Sequence, residues 1–386
     1  MARGATRVAA AAAVGLAPGC REPTQRPGSP QSAPPASSGA DSGQTEATSD
    51  AAPRRPLRWE LVDTRLPVAV ANNAVASVAT AEGPVLVSMM GLSGAKTHAD
   101  IVRTTMTWVV GTGAVRQASP TPGAQGRLAS SAVSLDGSVL LFGGYTVAPD
   151  GHEVSVPQIE RYDPAADTWG NAGSMPTPVD DAVVAVWRDR VVLVSGWSNV
   201  DNVDHVQWWD PGTGRFTRAS PIIGPPVFGH AGGVLGDTIV YCDGVTKAKS
   251  PPRFAAVHGC FLGRLSPEAP ERIAWEAIAD HPGRARYRVA AGRYDAEGLL
   301  VFAGGTDNPY NYDGVGYDRE PSEPVTDVFA WDGAAWRELP PLPEPLMDHR
   351  GLVEASGSLF LLGGLDAERQ PSDRIYRLGP ASRSRR

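Results

Sequence analysis

Short apolar segments that end in glycine recur along this chain about every 50–60 residues. Each segment is typical of a buried β-strand, because it is only a few residues long and is bounded by turn-forming residues. Six segments close with the triplets Met89–Gly91, Phe142–Gly144, Val194–Gly196, Cys242–Gly244, Ala303–Gly305 and Leu362–Gly364. This periodicity predicts one structural unit used repeatedly, with a core spread over its copies.

The clearest unit starts at Arg127 and predicts four short antiparallel strands, which we name a to d in chain order. Asp136 and Gly137 form the hairpin turn between strands a and b, and Gly143 and Gly144 follow strand b. The strands are predicted at residues 128–135, 139–142, 159–162 and 168–169. Because strand b ends where backbones crowd, packing explains the glycines and no catalytic role is expected for them.

A bulky apolar residue in strand c and another in strand d recur in register with the glycines. The pairs are Trp108 and Val115, Tyr162 and Trp169, Trp209 and Phe216, and the more closely spaced Trp331 and Trp336. Together with the glycine positions, these residues resemble the kelch repeat over about residues 57–378. The resemblance implies an all-β fold, a six-bladed kelch-type β-propeller.

The two ends of the chain supply complementary parts of the last unit. The C-terminal unit has strands a and b around residues 352–362 and a strand c at 374–378, but no Trp-bearing strand d. Near the N-terminus, Leu57–Val62 has the pattern of a strand d with no partners before it. This strand is expected to complete the last blade and to pair its open edge, within a propeller predicted at residues 57–380.

Residues 1–20 show the regions of an export signal in order, with Arg3 and Arg7 before the apolar segment Val8–Ala17. The sequence ending at Cys20 resembles a bacterial lipobox, although Ala17 replaces the usual leucine. Lipidation of Cys20 is predicted, with a simple secretory signal as the alternative. Residues 21–56 are rich in Pro, Ser, Gly and Ala and predict a disordered tether, and a disordered tail is predicted at 381–386. We therefore expect an outer-membrane or cell-surface lipoprotein or, alternatively, a periplasmic or secreted protein.

The charge composition limits the classes of partner that we expect for this protein. Charged residues make up 20% of the chain and its net charge is −7, so no nucleic-acid partner is expected. A monomer is expected, with membrane contact through the lipid anchor only.

Cys242 ends one predicted strand and Cys260 lies in the next, so an oxidising compartment favours a disulfide between them. Two buried thiols are the alternative.

Antiparallel strand order puts the tight a–b and c–d turns on one face and the longer b–c loops and d–a connections on the other. Binding is expected on this loop-rich face, where the a strands begin around the central channel. Counting back from each glycine pair makes Arg127 equivalent to Arg288, and makes Ser130, His230 and Arg350 equivalent to one another.

Charged side chains are expected to converge at this channel mouth. Because guanidinium groups bind carboxylates in a bidentate fork, they predict a site for an anionic or polyhydroxylated ligand. The alternative is that they are the polar lining of a water-filled channel. The candidate ligand-binding residues are Arg127, Asp181, His230, Arg288, Asp348 and Arg350.

The loop Thr306–Val325 is distinguished by Tyr310, Tyr312 and Tyr317, which alternate with Asp and Asn. Tyrosines with adaptable polar neighbours suit recognition of a carbohydrate or a protein, and an ordinary solvated insertion is the alternative. The spacing does not fit a calcium-binding loop.

Motifs for hydrolytic, redox or nucleotide chemistry are missing from the sequence, and the seven histidines show no ligand spacing, so neither a metal nor another cofactor is expected. The leading hypothesis is a non-enzymatic binding or scaffold protein that recognises a protein or glycan. The alternative is an enzyme of the sialic-acid mutarotase type, a family that also resembles an exported bacterial kelch propeller, and no motif beyond the shared repeat supports it. Such an enzyme needs an acid/base pair and an arginine for the sugar carboxylate, so Arg127 or Arg288 would hold the carboxylate and His230 or Asp348 would move the proton. A purely structural envelope protein is the third possibility.

Overall fold

The computed structural model describes residues 55–381, which form six four-stranded antiparallel sheets. The sheets are the blades of a β-propeller, and their strands a line an axial channel. The six-bladed all-β architecture predicted from the sequence is confirmed. The predicted signal peptide, the lipidation site at Cys20, most of the tether and most of the C-terminal tail lie outside the described residues. Within residues 55–381, no helix is long and apolar enough to cross a membrane.

The strands of each blade follow from the channel outward. Blade 1 comprises Ala74–Thr80, Gly83–Met89, Thr105–Val109 and Arg116–Ala118. Blade 2 comprises Ser131–Leu135, Ser138–Phe142, Gln158–Asp163 and Thr168–Ser174. Blade 3 comprises Val183–Trp187, Arg190–Val194, Val206–Asp210 and Arg215–Ala219. Blade 4 comprises Ala231–Leu235, Thr238–Cys242, Cys260–Arg264 and Ala274–Ile278. Blade 5 comprises Ala290–Tyr294, Leu299–Ala303, Val328–Trp331 and Trp336–Glu338. Blade 6 comprises Val353–Ala355, Ser358–Leu362, Ile375–Pro380 and Leu57–Leu61.

Short secondary-structure elements lie in the b–c loops on one face of the disc. Three of these loops contain small hairpins, and the b–c loop of blade 1 contains the 3-10 helix His98–Asp100. The hairpins pair Tyr145–Val147 with Glu153–Ser155, Trp197–Ser198 with Asp201–Asn202, and Val245–Lys247 with Phe254–Ala256.

The hydrophobic core lies between the blades. Strand b is buried along its whole length in blade 2, at Ser138–Phe142. Within residues 55–381, six clusters of buried apolar side chains are each shared by two adjacent blades. In one of them, Val87 and Met89 of blade 1 pack with Leu141 and Tyr162 of blade 2. Because removing apolar area from water stabilises by about 25 cal/mol per Å², these clusters hold neighbouring blades together.

The first strand of the described chain closes the ring. Leu57–Leu61 pairs antiparallel with Ile375–Pro380, so the outer strand of blade 6 comes from the opposite end of the chain. Trp59 is 8% exposed and packs in the cluster between blades 5 and 6, where its indole N–H donates to the carbonyl of Pro340 at 3.1 Å. The predicted ring closure is confirmed.

The second and third positions of the repeated triplet differ in the residue types that they accept. A Cβ on Gly144, where φ is 84°, would overlap the backbone of Leu128 and the side chain of Ser130. The third triplet position is glycine in all six blades. The second position has a left-handed φ but accepts other residues, and it is occupied by Met90, Gly143, Ser195, Asp243, Gly304 and Gly363.

Strand register accounts for the other recurring positions. Tyr162 lies directly opposite Trp169 in the c–d hairpin of blade 2, and their ring centroids are 4.8 Å apart. In blade 4, Cys242 and Cys260 are direct cross-strand partners and form the predicted disulfide. The disulfide therefore joins strands b and c at the loop-rich end of that blade.

We predict that Trp59→Ala lowers the free energy of unfolding by about 3–5 kcal/mol, because it leaves a cavity in the closing blade. Chemical denaturation of the purified protein measures this loss. Leu61→Ala is the matched control, since Leu61 lies in the same strand but is 46% exposed. Equal effects of the two substitutions would contradict a closing role for the buried face of this strand.

Candidate functional site

The loop Thr306–Val325 lies across the loop-rich end of the channel. Tyr310 is fully buried in a cluster with residues from blades 1, 4 and 6, including Ala71, Phe228 and Met347. Lys96 of blade 1 donates to the carbonyls of Asp313 at 2.8 Å and Arg369 at 2.6 Å. The loop is therefore an anchored cover rather than a solvated insertion.

Beneath this loop, each blade contributes one residue with a left-handed backbone to a ring around the axis. These residues, which we call the mouth ring, are Asn72, Ala129, Asp181, Gly229, Arg288 and Asp348. Backbone hydrogen bonds connect neighbouring blades along the ring. The N–H of Gly229 donates to the carbonyl of Asp181 at 2.8 Å, and the N–H of Arg288 donates to the carbonyl of Gly229 at 2.9 Å. The repeated bend brings side chains from different blades together.

Four charged side chains at the mouth ring form one buried network. Arg288 pairs with Asp181 at 2.9 Å and with Asp348 at 3.2 Å, and Arg350 also pairs with Asp181. The Arg288 side chain is 1% exposed, and its Nη1 also donates to the carbonyl of Asn311 at 2.5 Å, whereas its buried Nε–H has no partner within residues 55–381. Protein groups pair with both terminal nitrogens of the guanidinium, so these ion pairs are part of the scaffold.

Protonation within this network follows from burial and charge. Burial raises the pKa of the Asp181 carboxyl, but Arg288 and Arg350 outweigh that effect and hold the pKa below its ordinary value. Burial also raises the pKa of Asp348, whose carboxylate accepts a hydrogen bond from the side-chain amide of Asn72 at 2.6 Å. Asp181 is therefore the fixed anionic partner of the two arginines.

The structure brings together four of the six predicted channel-mouth residues, which are Asp181, Arg288, Asp348 and Arg350. His230 lies nearby on the channel wall, where its Nε2 is 3.0 Å from the carbonyl oxygen of Val194. Arg127 lies apart from them and pairs with Glu160 at 2.7 Å.

The sequence alignment of Arg127 with Arg288 differs from the structure for a physical reason. In blade 5 the a–b turn between Tyr294 and Leu299 contains four residues, whereas the corresponding turn in blade 2 contains two. Counting back from the glycines therefore misplaced Arg288, which occupies the mouth-ring position of Ala129. Similarly, the residue that contacts the third triplet glycine is Ser130, His230 or His349, so His349 rather than Arg350 is equivalent to the first two.

A small cavity of about 90 Å³ opens on the loop-rich face beside the mouth ring. Its aromatic lining comprises Tyr145, Trp197, Phe228, Phe254 and Tyr317, and the rings of Trp197, Phe228 and Phe254 form one cluster that we call the aromatic wall. Its polar lining includes Glu153, Ser155, Asp180, Asn199 and Asn311. The small hairpins of blades 2, 3 and 4 supply most of the lining, so the cavity lies to one side of the axis.

Two adjacent carboxyl groups border this cavity, and their pKa values are shifted in opposite directions. Burial, reinforced by the charge of Asp181, raises the pKa of Asp180 well above its ordinary value. The hydroxyl of Ser155 donates to Asp180 at 2.5 Å. Since the pKa of Asp181 is lowered, Asp180 keeps its proton to higher pH than Asp181 does.

The three tyrosines of the predicted binding loop have separate surroundings. Tyr310 is buried edge-on against Tyr287, with ring centroids 5.5 Å apart. Tyr317 lines the cavity and contacts Phe254 at 4.6 Å. Tyr312 packs against the cluster that contains Tyr145. Only Tyr317 therefore belongs to the cavity, and recognition through the other two stays a prediction.

The axial channel is a second and larger cavity of about 590 Å³. His230, His349 and Arg350 line its loop-side end, and Arg188, Arg293 and Glu354 line the end near the a–b turns. Because Arg350 lines the channel while Asp181 and Arg288 line the smaller cavity, the buried ion pairs lie between the two spaces.

Sequence analysis missed the aromatic wall. Trp197, Phe228 and Phe254 lie in loops and connections, where the repeat pattern gave no reason to group them. Their centroids are 5.2–5.6 Å apart in the structure. The available signal was large aromatic residues in otherwise polar b–c loops, whose convergence depended on the fold.

Comparisons with known proteins agree with this architecture. Residues 126–176 match the Kelch motif. Kelch-like protein 15 of Gallus gallus is 28% identical over 114 residues, which cover 29% of this chain and 23% of that protein. Kelch-like protein 35 of Mus musculus is 31% identical over 98 residues, covering 25% and 16%. The murine Kelch-like protein 15 is 22% identical over 245 residues, covering 63% and 39%. The matched regions thus span less than half of each relative.

A solved structure of YjhT has the same fold. It superposes on this chain with a TM-score of 0.63 and 15% sequence identity, covering 81% of this chain and 95% of the other. At this identity the likeness concerns the fold alone. Together with the motif match, it supports the kelch-type propeller predicted from the sequence.

We predict that Arg288→Ala destabilises the fold by about 3–5 kcal/mol, because it leaves Asp181 and Asp348 buried without their shared cation. Urea denaturation monitored by tryptophan fluorescence tests this. Arg253→Ala at the exposed rim is the comparison variant and should change stability by less than about 0.5 kcal/mol. A stable Arg288→Ala protein would show that the network is dispensable.

We also predict an acid-sensitive contribution from the channel histidines. Burial lowers the pKa of His230 and of His349 to about 4. The unfolded chain binds protons below about pH 6.5, whereas the folded histidines remain neutral until about pH 4. The free energy of unfolding therefore falls as pH drops through this window, by at most about 1.4 kcal/mol per pH unit for each histidine.

Equilibrium unfolding between pH 7 and pH 4 measures this dependence. His349→Gln, which retains an N–H donor for the carbonyl of Gly363, should reduce the slope by one histidine's share. His98→Gln is the exposed control and should leave the slope unchanged. The raised pKa of Asp180 makes the free energy of unfolding change with pH in the opposite direction. Because Asp180 is present in every variant, its contribution cancels when the slopes are compared. An unchanged slope in His349→Gln would contradict the prediction.

Proposed function

We propose that this chain, a six-bladed propeller that carries the kelch repeat, is a non-enzymatic binding protein that recognises a carbohydrate in its loop-face cavity. The observation that carries the proposal is a cluster of aromatic rings together with acid and amide side chains in the lining of one opening. Sugars present apolar C–H faces that stack on aromatic rings and hydroxyl groups that hydrogen-bond to carboxyl and amide groups. The kelch propeller fold supports a binding role in general.

The size of the cavity specifies how much of the ligand it holds. About 90 Å³ admits the end of one sugar residue, so the remainder of a glycan extends over the rim. At the rim, the Arg253 guanidinium lies 4.8 Å from the Phe254 ring centroid and 5.7 Å from that of Trp197. An exposed arginine stacked on aromatic rings is available to an incoming ligand.

The sequence predicted that Arg288 binds an anionic ligand, but in the structure this residue pairs with other protein groups. Its Nη1 donates to Asp348 and to the carbonyl of Asn311, its Nη2 donates to Asp181, and its Nε–H is buried without a partner in the described part of the chain. An acidic group on the ligand would therefore pair with Arg253 at the rim. The raised pKa of Asp180 favours its protonated form, which can donate one hydrogen bond to a sugar oxygen as an ionised carboxylate cannot.

The cellular setting of the proposal comes from the sequence of residues 1–56. An export signal, an acylated Cys20 and a flexible tether would hold a monomeric propeller away from the membrane of the cell envelope. In that setting the loop-rich face would meet glycans or glycosylated proteins. A protein partner recognised by the same face is an outcome that the experiment below distinguishes.

A second candidate is a sugar epimerase of the sialic-acid mutarotase type, and the Asp180–Asp181 pair favours it. Opening and reclosing a sugar ring needs one group that gives a proton and another that accepts one. Carboxyl groups whose environments push their pKa values apart are suited to these two roles. His230, which sequence analysis considered for proton transfer, lies on the channel side of the ion pairs.

We predict that a neutral or acidic oligosaccharide raises the thermal midpoint of the protein and that Asp180→Ala weakens its binding about three- to tenfold through a lost hydrogen bond. Thermal shift followed by isothermal titration calorimetry measures both effects. Arg253→Ala should weaken only acidic ligands. Arg188→Ala, at the far end of the channel, is the control and should bind like the parent protein.

Three results separate the alternatives. No stabilisation by any glycan, together with capture of a protein that Arg253→Ala no longer binds, would replace the carbohydrate with a protein partner. NMR exchange between sugar anomers that accelerates with the parent protein and not with Asp180→Asn would establish the epimerase instead. Glycan binding that is equal in Asp180→Ala and the parent protein would place the site elsewhere.

A further inference from the structure

We propose that Asp243, His258 and His281 form a binding site for a divalent first-row transition metal, with Zn²⁺ as the expected ion. One ligand atom from each residue lies within 4.8 Å of the other two. Nε2 of His281 is 2.6 Å from Oδ2 of Asp243, and Nε2 of His258 is 4.0 Å from Oδ1. A metal among these atoms would replace the hydrogen bond between His281 and Asp243, moving its two atoms to about 3.3 Å apart, and would draw His258 closer.

Two of the three ligands are held in place by their surroundings. The His281 side chain is fully buried, and its ring stacks on Phe329 at a centroid distance of 4.0 Å. Nδ1 of His281 lies 2.8 Å from the carbonyl oxygen of Pro282, which accepts its N–H when Nε2 binds a metal. In metal sites, the histidine nitrogen that does not bind the metal commonly donates its N–H to a carbonyl or carboxylate oxygen. This hydrogen bond fixes the tautomer and the orientation of the ring.

Asp243 is also oriented independently of any metal. Its Oδ2 accepts the backbone N–H of Arg286 at 2.7 Å, and its Oδ1 accepts that of Gly259 at 3.3 Å. The carboxylate is 4% exposed, whereas the side chain of His258 is 33% exposed. The site is therefore rigid on its protein side and open toward solvent at His258, which gives an ion a path of entry.

The disulfide of blade 4 fixes two ligands relative to each other. Cys242 immediately precedes Asp243, and Cys260 follows His258 by two residues. The N–H of Asp243 donates to the carbonyl of Gly259 at 2.8 Å, which continues the strand pairing beyond the disulfide. The cross-link thus holds the end of strand b next to the His258 segment.

Asp243 also departs from the repeat. It occupies the triplet position that is glycine in blades 2, 5 and 6, with a φ of 63° that aspartate tolerates better than most residues. Sequence analysis expected no metal because the three ligands are far apart in the chain and follow no motif. They converge from the end of strand b, the following b–c loop and the connection from blade 4 to blade 5.

The donor set identifies the class of ion. Two imidazole nitrogens and one carboxylate oxygen suit Zn²⁺ and its neighbours, and three protein ligands leave a fourth position for water on the His258 side. Ca²⁺ and Mg²⁺ prefer shells of oxygen ligands and are not expected here. The competing interpretation is a buried His281–Asp243 contact that only ties blade 4 to blade 5.

The test uses the full chain without a histidine tag, after treatment with a chelator. Zn²⁺ is titrated by isothermal calorimetry, and Co²⁺ is titrated by visible absorption, which reports a four-coordinate site. We expect one ion per chain. His258→Ala should weaken Zn²⁺ binding by more than about 100-fold, because losing a direct ligand costs more than losing an outer-shell partner.

Two further variants make the result interpretable. Asp243→Asn accepts the same left-handed backbone and should also lose the ion while the protein remains folded by circular dichroism. His152→Ala, an exposed histidine in the blade 2 loop and outside this cluster, is the matched control and should bind normally. Absence of Zn²⁺ binding, or equal affinities of His258→Ala and His152→Ala, would overturn the proposal and leave the buried contact as the sole role.

Discussion

The structure depends on burying two apolar faces for every blade. A four-stranded sheet whose strand b is apolar on both sides cannot cover those faces itself, so each blade is stable only between two neighbours. The six clusters between blades meet this need, and they meet it only when the ring is complete. Pairing of Leu57–Leu61 with Ile375–Pro380 completes it. The two ends of the propeller are thereby held together.

Ring closure also dictates what happens at the axis. The mouth-ring residues bend the chain into each strand a, so their side chains meet where there is little room and little water. Charges placed there must be balanced, and Arg288 is balanced by Asp181 and Asp348. The most conspicuous charged group of the sequence is therefore part of the scaffold. Most of the side chains that line the small cavity, where we propose that a ligand binds, lie on the small hairpins of blades 2 to 4.

The departures from the repeat mark the places with chemistry beyond packing. The a–b hairpin of blade 5 is longer by two residues, and this shift hides the alignment of Arg288 with its neighbours in the ring. Asp243 replaces a glycine and gathers two histidines from later in the chain. Asp180 and Asp181 occupy adjacent positions on the two sides of the mouth-ring bend. Each departure is local in sequence, but its partners come from other blades or from distant loops.

The sequence by itself determined the six-bladed fold, the closing strand, the disulfide and the loop-rich face. These features depend on local patterns, such as the glycine triplets, the Tyr162–Trp169 spacing and the position of two cysteines at paired strand ends. It also determined that Asp181, Arg288, Asp348 and Arg350 lie near the channel. Only the tertiary structure decided that these four neutralise one another, that Tyr310 is buried, and that Trp197, Phe228 and Phe254 form a wall. Contacts between blades depend on loop lengths and on the ring geometry, and a pattern along one strand carries no information about either.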